Sequence, residues 1–247
     1  MPDAPCSWPP PPESIDLPEG HVHLWCARLD PAEELLARLR GVLSADEIHR
    51  AERFRAGTLR SRFIAGRGTL RLILAKYLRA QPAALRLNYQ AHGKPELAAP
   101  WNADGLEFNV SHSHDLAVFA FARGCQIGVD VEWVRPMPNA AGLMERFFSP
   151  DEVAQWRRVP AELKQLSFFH GWTRKEAWLK AVGSGLAFPL SEFCVTLAPF
   201  EPARVLSIQG DARRGAEWWL ESNEPCPGYV ATVAIRGQPA KVHGWRF

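Results

Sequence analysis

The chain repeats one set of local signals at a fixed distance. Ser44, Asp46 and Glu47 return 105 residues later as Ser149, Asp151 and Glu152. Phe63 and Gly66 return as Phe168 and Gly171, and Val22 and Leu24 as Ile127 and Val129. The serine–glutamate spacing is a capping box, in which each side chain satisfies a free backbone N–H at a helix start. In both copies it follows a segment of strand-like alternation and precedes a long helix pattern. The alternative is a chance alignment of common capping signals. A constant offset through strand, cap and helix implies two similar α+β halves related by a pseudo-twofold axis.

The reading along the chain fills in this frame. Residues 1–20 are proline-rich ("PCSWPPPPESIDLPEG") and read as a loosely packed extended arm. Residues 21–125 form the N-terminal half, and 126–247 the C-terminal half. "HVHLWCARLD" alternates as a strand, with Val22, Leu24 and Cys26 inward, and "PAEELLARLRGVL" reads as a helix from Pro31 to near Gly41. "RSRFIAGRGTLRLILAKYL" is a long helix, "HGKPEL" a turn, and "LEFNVSHS" with "DLAVFAFA" a hairpin with a polar corner. "QIGVDVEWV" is a strand, and "LSFFHGWTRKEAWLKAVG" a helix stopped by Gly183. "FCVTLA", "EWWLES" and "GYVATVAI" read as strands.

The halves differ where chemistry can reside. At the 105-residue offset, Leu70, Arg71 and Ala75 align with Lys175, Glu176 and Lys180, and Ala27 with Glu132. Asp130 and Glu132 are two apart on one strand, so both point to one face and repel unless a cation, a proton or water intervenes. Taken alone, such a pair fits a solvated strand end. Glu176 lies in a helix rich in Phe and Trp, and shares a face with Lys180 at i, i+4. That pair fits an ordinary helix salt bridge, but an aromatic helix is a buried one, and a buried Glu–Lys pair needs a reason. Three carboxylates without Cys or His make an oxygen-only site, which suits Mg²⁺ with phosphate as co-ligand. "NVSHSHD" offers Ser111, His112 and Ser113 as donors to phosphate oxygens, unless it is an ordinary polar turn. Seven arginines from Arg50 to Arg71, followed by Lys94, form either a solvated helix face or a phosphate-binding cluster.

Other classes are disfavoured. No GxxxxGK[ST], GxGxxG or GxSxG is present, which argues against P-loop, dinucleotide and nucleophile-elbow sites. Net charge is only +2, and no apolar run reaches 18 residues, so neither nucleic acid nor membrane is expected as a partner. Five scattered cysteines without CxxC spacing argue against a disulfide framework or zinc site and for a reducing cytoplasm.

Together, "FNVSHS", "IGVDVEWV", "RFFSPDE" and "WTRKEAWLKAVGSGL" resemble the 4′-phosphopantetheinyl transferases, in the Sfp-type branch where one chain holds both halves. The resemblance spans about residues 21–235. It implies transfer of the 4′-phosphopantetheine arm of coenzyme A to a serine of an apo acyl or peptidyl carrier protein, with release of adenosine 3′,5′-bisphosphate. It implies Mg²⁺, with Mn²⁺ as a substitute, held by Asp130, Glu132 and Glu176. It gives Glu152 as the base toward the serine, and Lys180 at the leaving phosphate, with Glu176 also catalytic. Coenzyme A contacts follow as Arg53, Arg62, Lys94, Ser111, His112, Asp130, Lys175 and Lys180. "GSGLAFPL" corresponds to a loop near the arm and the carrier. A monomer is expected, since sibling enzymes with one half per chain build the cleft between subunits. Two alternatives remain: a non-catalytic coenzyme A or carrier-protein binding module, and a Mg²⁺-dependent phosphodiesterase.

Overall fold

The computed structural model describes residues 6–89, 93–183 and 188–247. The fold is α+β. In chain order it runs β1 (His21–Arg28), α1 (Glu33–Gly41), α2 (Ala45–Glu52), α3 (Gly57–Leu78), β2 (Leu87–Tyr89), β3 (Pro95–Leu97), β4 (Leu106–Ser113) and β5 (Leu116–Arg123). It continues with β6 (Ile127–Trp133), α4 (Ala140–Phe147), α5 (Pro150–Arg158), α6 (Ala161–Val182), β7 (Phe193–Val195), β8 (Val205–Ile208), α7 (Ala212–Ala216), β9 (Trp218–Asn223), β10 (Tyr229–Arg236) and β11 (Lys241–Arg246). One sheet has the order β11-β1-β5-β4 and the other β6-β10-β9. Two short hairpins, β2-β3 and β7-β8, complete the strands.

Alternation along the strands decides what each face meets. Val22, Leu24 and Cys26 of β1 join even-numbered residues of β5, and pack on Ile127, Val129, Val131 and the odd-numbered residues of β10. The sheets therefore stack face to face, and each buried Val, Leu or Ile contributes roughly 1.5–3 kcal/mol. The opposite face of the first sheet, with Trp25, Phe119 and Phe121, covers α3 through Ile73, Leu74 and Tyr77. In the second half, Phe168, Phe169, Ala177 and Trp178 of α6 pack with Leu220 of β9 and Ala234 of β10. The result is helix, sheet, sheet, helix, with two like halves back to back.

Four sequence expectations change. The arm is not loose: Cys6 and Leu17 are buried, Ser7 N donates to Pro225 O, and Arg246 N to Pro9 O. Proline fixes its extended shape, and its few apolar side chains find the groove beside β11. The C-terminal segment does not stay with the second half, since β11 pairs in parallel with β1. It was missed because "KVHGWR" carries little apolar alternation. The long helices are offset by 104 residues, not 105: both have 22 residues, starting at Gly57 and Ala161. Arg71 thus matches Lys175, Leu72 matches Glu176, and Lys76 matches Lys180, so the lysine is not peculiar to the second half. The strands keep the 105 offset, because β1 and β6 place corresponding residues on the same inter-sheet face. Finally, the first long helix begins earlier than read, at Gly57; after Leu78 it is capped by Arg79 in a left-handed conformation, φ 49°.

Candidate active site

The site forms where the sheet edges overlap. β4 lies along β6, and three of its side chains bind across: Asn109 Oδ1 accepts from Val129 N at 2.9 Å, Ser111 Oγ donates to Asp130 Oδ1 at 2.8 Å, and Ser113 Oγ donates to Glu132 Oε2 at 2.8 Å. Residues 109, 111 and 113 share one face of β4, so a single strand pairing sets all three. α6 covers the other side of β6. Gly128 permits this contact, since a methyl group there would strike the Ala177 carbonyl oxygen and the Ala181 amide.

α6 is fixed against the second sheet by polar anchors. Thr173 and Ser222 hydroxyls both meet Thr232 Oγ1 at 2.9 Å, and Arg174 donates to Thr196 O at 2.6 Å and Ser222 Oγ at 3.2 Å. These anchors turn Glu176 and Lys180 toward β6. Lys180 Nζ donates to Asp130 Oδ1 at 2.7 Å and to Ser111 Oγ at 2.9 Å. The expected i, i+4 pairing of Lys180 with Glu176 is thus replaced by an ion pair to the strand. The lysine, serine and aspartate knot takes residues from both halves.

The electrostatics match crowded acids. Burial raises the Glu176 carboxyl, the Asp130 and Glu132 charges raise it further, and Lys180 opposes them. Glu132 is likewise pushed up by burial and by Asp130, while Ser113 and Arg135 pull it back. Asp130 Oδ2 is buried with no hydrogen-bond partner among the described residues. A buried carboxylate oxygen without a donor is costly. An oxygen-only donor set with one orphaned atom fits a hard divalent cation. Among the described residues, the three carboxylates are not drawn to within the 4.8 Å mutual spacing seen in the Cys6, Cys26 and Cys226 cluster, so the acid set is open rather than a closed cage.

The remaining candidates divide. His112 sits beside the knot with part of its side chain exposed; the protein packed around the ring first, then the Lys180 charge, lowers its affinity for a proton. It lines a cavity of ≈ 320 Å³ together with Arg50, Arg62, Phe63, Arg67 and His114. Arg62 is held there by a two-pronged pair with Asp30, at 2.9 and 2.6 Å, and by His114 O. Lys94 opens onto a different cavity of ≈ 410 Å³, where its ammonium donates to Lys180 O at 3.0 Å and Ile127 O at 3.3 Å. Arg53 is exposed at the end of α2 and lines neither.

Two residues leave the site altogether. Glu152 is 0 % exposed and Lys175 is 0 % exposed, and they form an ion pair at 2.8 Å. Glu152 Oε1 accepts from Val195 N at 2.8 Å, and Oε2 from Ser149 N at 2.8 Å. Lys175 also donates to Leu190 O at 2.7 Å and Phe193 O at 2.5 Å. A glutamate at the third position of a capping box bends back onto its own helix start, away from any cleft. Lys175, adjacent to Glu176 on a helix, points about 100° from it, which takes it into the core. The first half contains the same device, Glu47 with Arg71 at 2.5 Å, also buried. That paired spacing, a cation 24 residues after Glu47 and 23 after Glu152, was the available signal. Ser113, expected with Ser111 and His112 to donate to phosphate, instead donates to Glu132; Asn109 was missed because a short polar residue in a strand carries no pattern of its own, and Arg135 because it lies beyond the end of β6. Residues 184–187 of the "GSGLAFPL" loop lie outside the described residues.

The chain is 41% identical over 240 residues to "4′-phosphopantetheinyl transferase HetI" of Nostoc sp., covering 97% of this chain and 96% of that protein. The chain belongs to the 4′-phosphopantetheinyl transferase superfamily. The model of that superfamily matches residues 126–234, and one described as "4′-phosphopantetheinyl transferase, N-terminal" matches residues 27–123. The "4′-phosphopantetheinyl transferase ffp" of Bacillus subtilis is 31% identical, covering 82% of this chain and 86% of that one. Among solved structures, the holo-[acyl-carrier-protein] synthase of Thermotoga maritima aligns with a TM-score of 0.36 at 17% identity, over 46% of this chain and 63% of that one. The superfamily matches divide the chain where the two sheets divide it.

Proposed function

We propose that this chain transfers the 4′-phosphopantetheine arm of coenzyme A to a serine of an apo acyl or peptidyl carrier protein, and releases adenosine 3′,5′-bisphosphate. The observation that carries the reading is the knot at Asp130: one oxygen held by Lys180 and Ser111, the other buried without a partner among the described residues, with Glu132 and Glu176 beside it. Asp130, Glu132 and Glu176 would hold Mg²⁺, or Mn²⁺ in its place. Held there, such an ion would supply the positive charge that lets a diphosphate sit among carboxylates. Ser111 and Ser113 orient the acids, and Arg135 balances Glu132.

Lys180 is the partly exposed cation of the knot. It donates to Asp130 and Ser111, and its remaining N–H can meet the leaving phosphate as charge builds there. Glu152 is sealed in the core, so the serine proton falls to an acid of the cluster, and Glu176, of the three beside the ion, is assigned to take it. His112 and Arg62 are proposed to hold the phosphates at the adenosine end, with Arg53 an outer contact and Lys94 reaching the nucleotide from the opposite cavity. Ser111 and His112 come from one half, and Asp130, Glu176 and Lys180 from the other, so one chain completes the site and a monomer suffices. All five cysteines are free thiols, which supports a cytoplasmic setting.

The test is intact-mass measurement of an apo carrier protein incubated with this chain, coenzyme A and Mg²⁺. A gain of about 340 Da, the mass of the arm, is expected. Unchanged mass across acyl and peptidyl carriers refutes transfer. Release of the free phosphoester without carrier modification would mark a phosphodiesterase. Lys180→Ala is expected to lower turnover far more than coenzyme A affinity; equal loss in both would assign the site to binding alone.

A further inference from the structure

Three cysteines from distant parts of the chain meet beside the stacked sheets. Cys6 comes from the N-terminal arm, Cys26 from β1, and Cys226 from the turn ahead of β10. All three are buried, and their sulfurs lie within 4.8 Å of one another. The Cys226 thiol contacts Cys6 Sγ at 2.7 Å. The backbones are already side by side: Ser7 N donates to Pro225 O at 2.9 Å, and Ser7 Oγ to Glu224 O at 2.8 Å. Each of these contacts is one or two residues from a cysteine.

We propose that Cys6 and Cys226 form a reversible disulfide that locks the N-terminal arm onto the second half, with Cys26 left as a thiol behind them. Geometry favours this over a metal. A structural zinc site takes four ligands, and the cluster offers three sulfurs. The charges around it, Arg28 and Arg246, are positive and favour thiolate over a bound cation. The two neighbouring thiols, and those arginines after them, hold Cys6 well below the usual thiol range. Cys6 is also the most exposed of the three, at 9%, and lies on a terminal segment that can lift. A small oxidant reaches it first.

The oxidant is a small-molecule disulfide such as oxidised glutathione. The Cys6 thiolate attacks one of its sulfurs, the S–S bond breaks, and one glutathione leaves as thiolate. Cys226, pulled down by Cys26 but pushed up to about 12 by Cys6 and burial, is the protonated partner; it gives up its proton as its sulfur attacks Cys6 Sγ, closing the protein disulfide and expelling the second glutathione, which takes that proton. The two protein thiols give up two electrons and two protons, and both end on the two glutathiones.

The test is to treat the full chain with oxidised glutathione, block free thiols without reduction, and map the peptides by mass. The expected result is a loss of about 2 Da, a single Cys6–Cys226 linked peptide, and Cys26 blocked only after denaturation. The melting temperature should rise by roughly 5 °C or more, and fall back on adding a dithiol. Cys6→Ser should abolish the link. A link through Cys26, a stable glutathione adduct at Cys6, or no mass change would overturn the proposal. So would one equivalent of Zn²⁺ retained through a chelator wash with the thiols protected.

Discussion

Glu152→Gln distinguishes a structural from a catalytic glutamate at the start of α5. In the structure Glu152 takes three donors, Ser149 N, Val195 N and Lys175 Nζ, each at 2.8 Å. Glutamine keeps one acceptor oxygen, but its amide turns donors toward donors on the other side. Lys175 keeps the Leu190 and Phe193 carbonyls, yet loses its only described carboxylate. Breaking a buried pair by removing one partner costs about 3–5 kcal/mol. For a chain of this size, each kcal/mol lowers the melting temperature by roughly 2–4 °C, so a fall on the order of 6–20 °C is expected. Urea denaturation should show the same loss. Lys175→Met should cost a similar amount, and the double variant much less than the sum. Carrier-modifying activity per folded molecule should stay near wild type in the cold. A Glu152→Gln protein of unchanged stability that transfers no arm would refute this reasoning and return Glu152 to the chemistry.

Two further outcomes test the helix–strand contact at the site and a buried histidine of the first sheet. Gly128→Ala should force α6 off β6, draw Lys180 from Asp130, and cost roughly 1–3 kcal/mol with a large loss of transfer; a stable, fully active variant would contradict the close helix–strand contact. His23 is buried with His21 and His243 near it, and burial pulls its pKa from 6.5 down to about 3. The unfolded chain binds a proton below pH 6.5 that the folded chain refuses down to about pH 3, so stability should fall steadily across that window on acidification. His23→Gln should flatten that slope in denaturation series at pH 4 to 7, and an unaltered slope would show that other groups control it.

The parts legible in the sequence are those set by short, regular spacing. Two acids two residues apart on a strand had to share a face, and Asp130 and Glu132 do so. The paired capping boxes fixed two helix starts and the likeness of the halves. Registration within the long helices was not legible. Both mix charged and apolar residues on every side, so one residue of slip costs no pattern, and the 105-residue offset pairs Arg71 with Glu176 instead of Lys175. The role of Glu152 was hidden for a related reason: its partner lies on another helix, and only the fold shows that both are sealed. Cys6 and Cys226 stand 220 residues apart, so their meeting depends wholly on where the arm packs. The partnership of Lys180 with Asp130 rather than Glu176 likewise required knowing which side of β6 the helix covers.

In the proposed enzyme Asp130, Glu132 and Glu176 jointly hold one divalent ion against the diphosphate of coenzyme A. Mn²⁺ titration followed by electron paramagnetic resonance, with coenzyme A present, measures this directly. One tightly held Mn²⁺ per wild-type chain is expected, weakened at least 10-fold, about 1.4 kcal/mol, in a folded Asp130→Asn variant. Equal Mn²⁺ binding by the two proteins would contradict the claim.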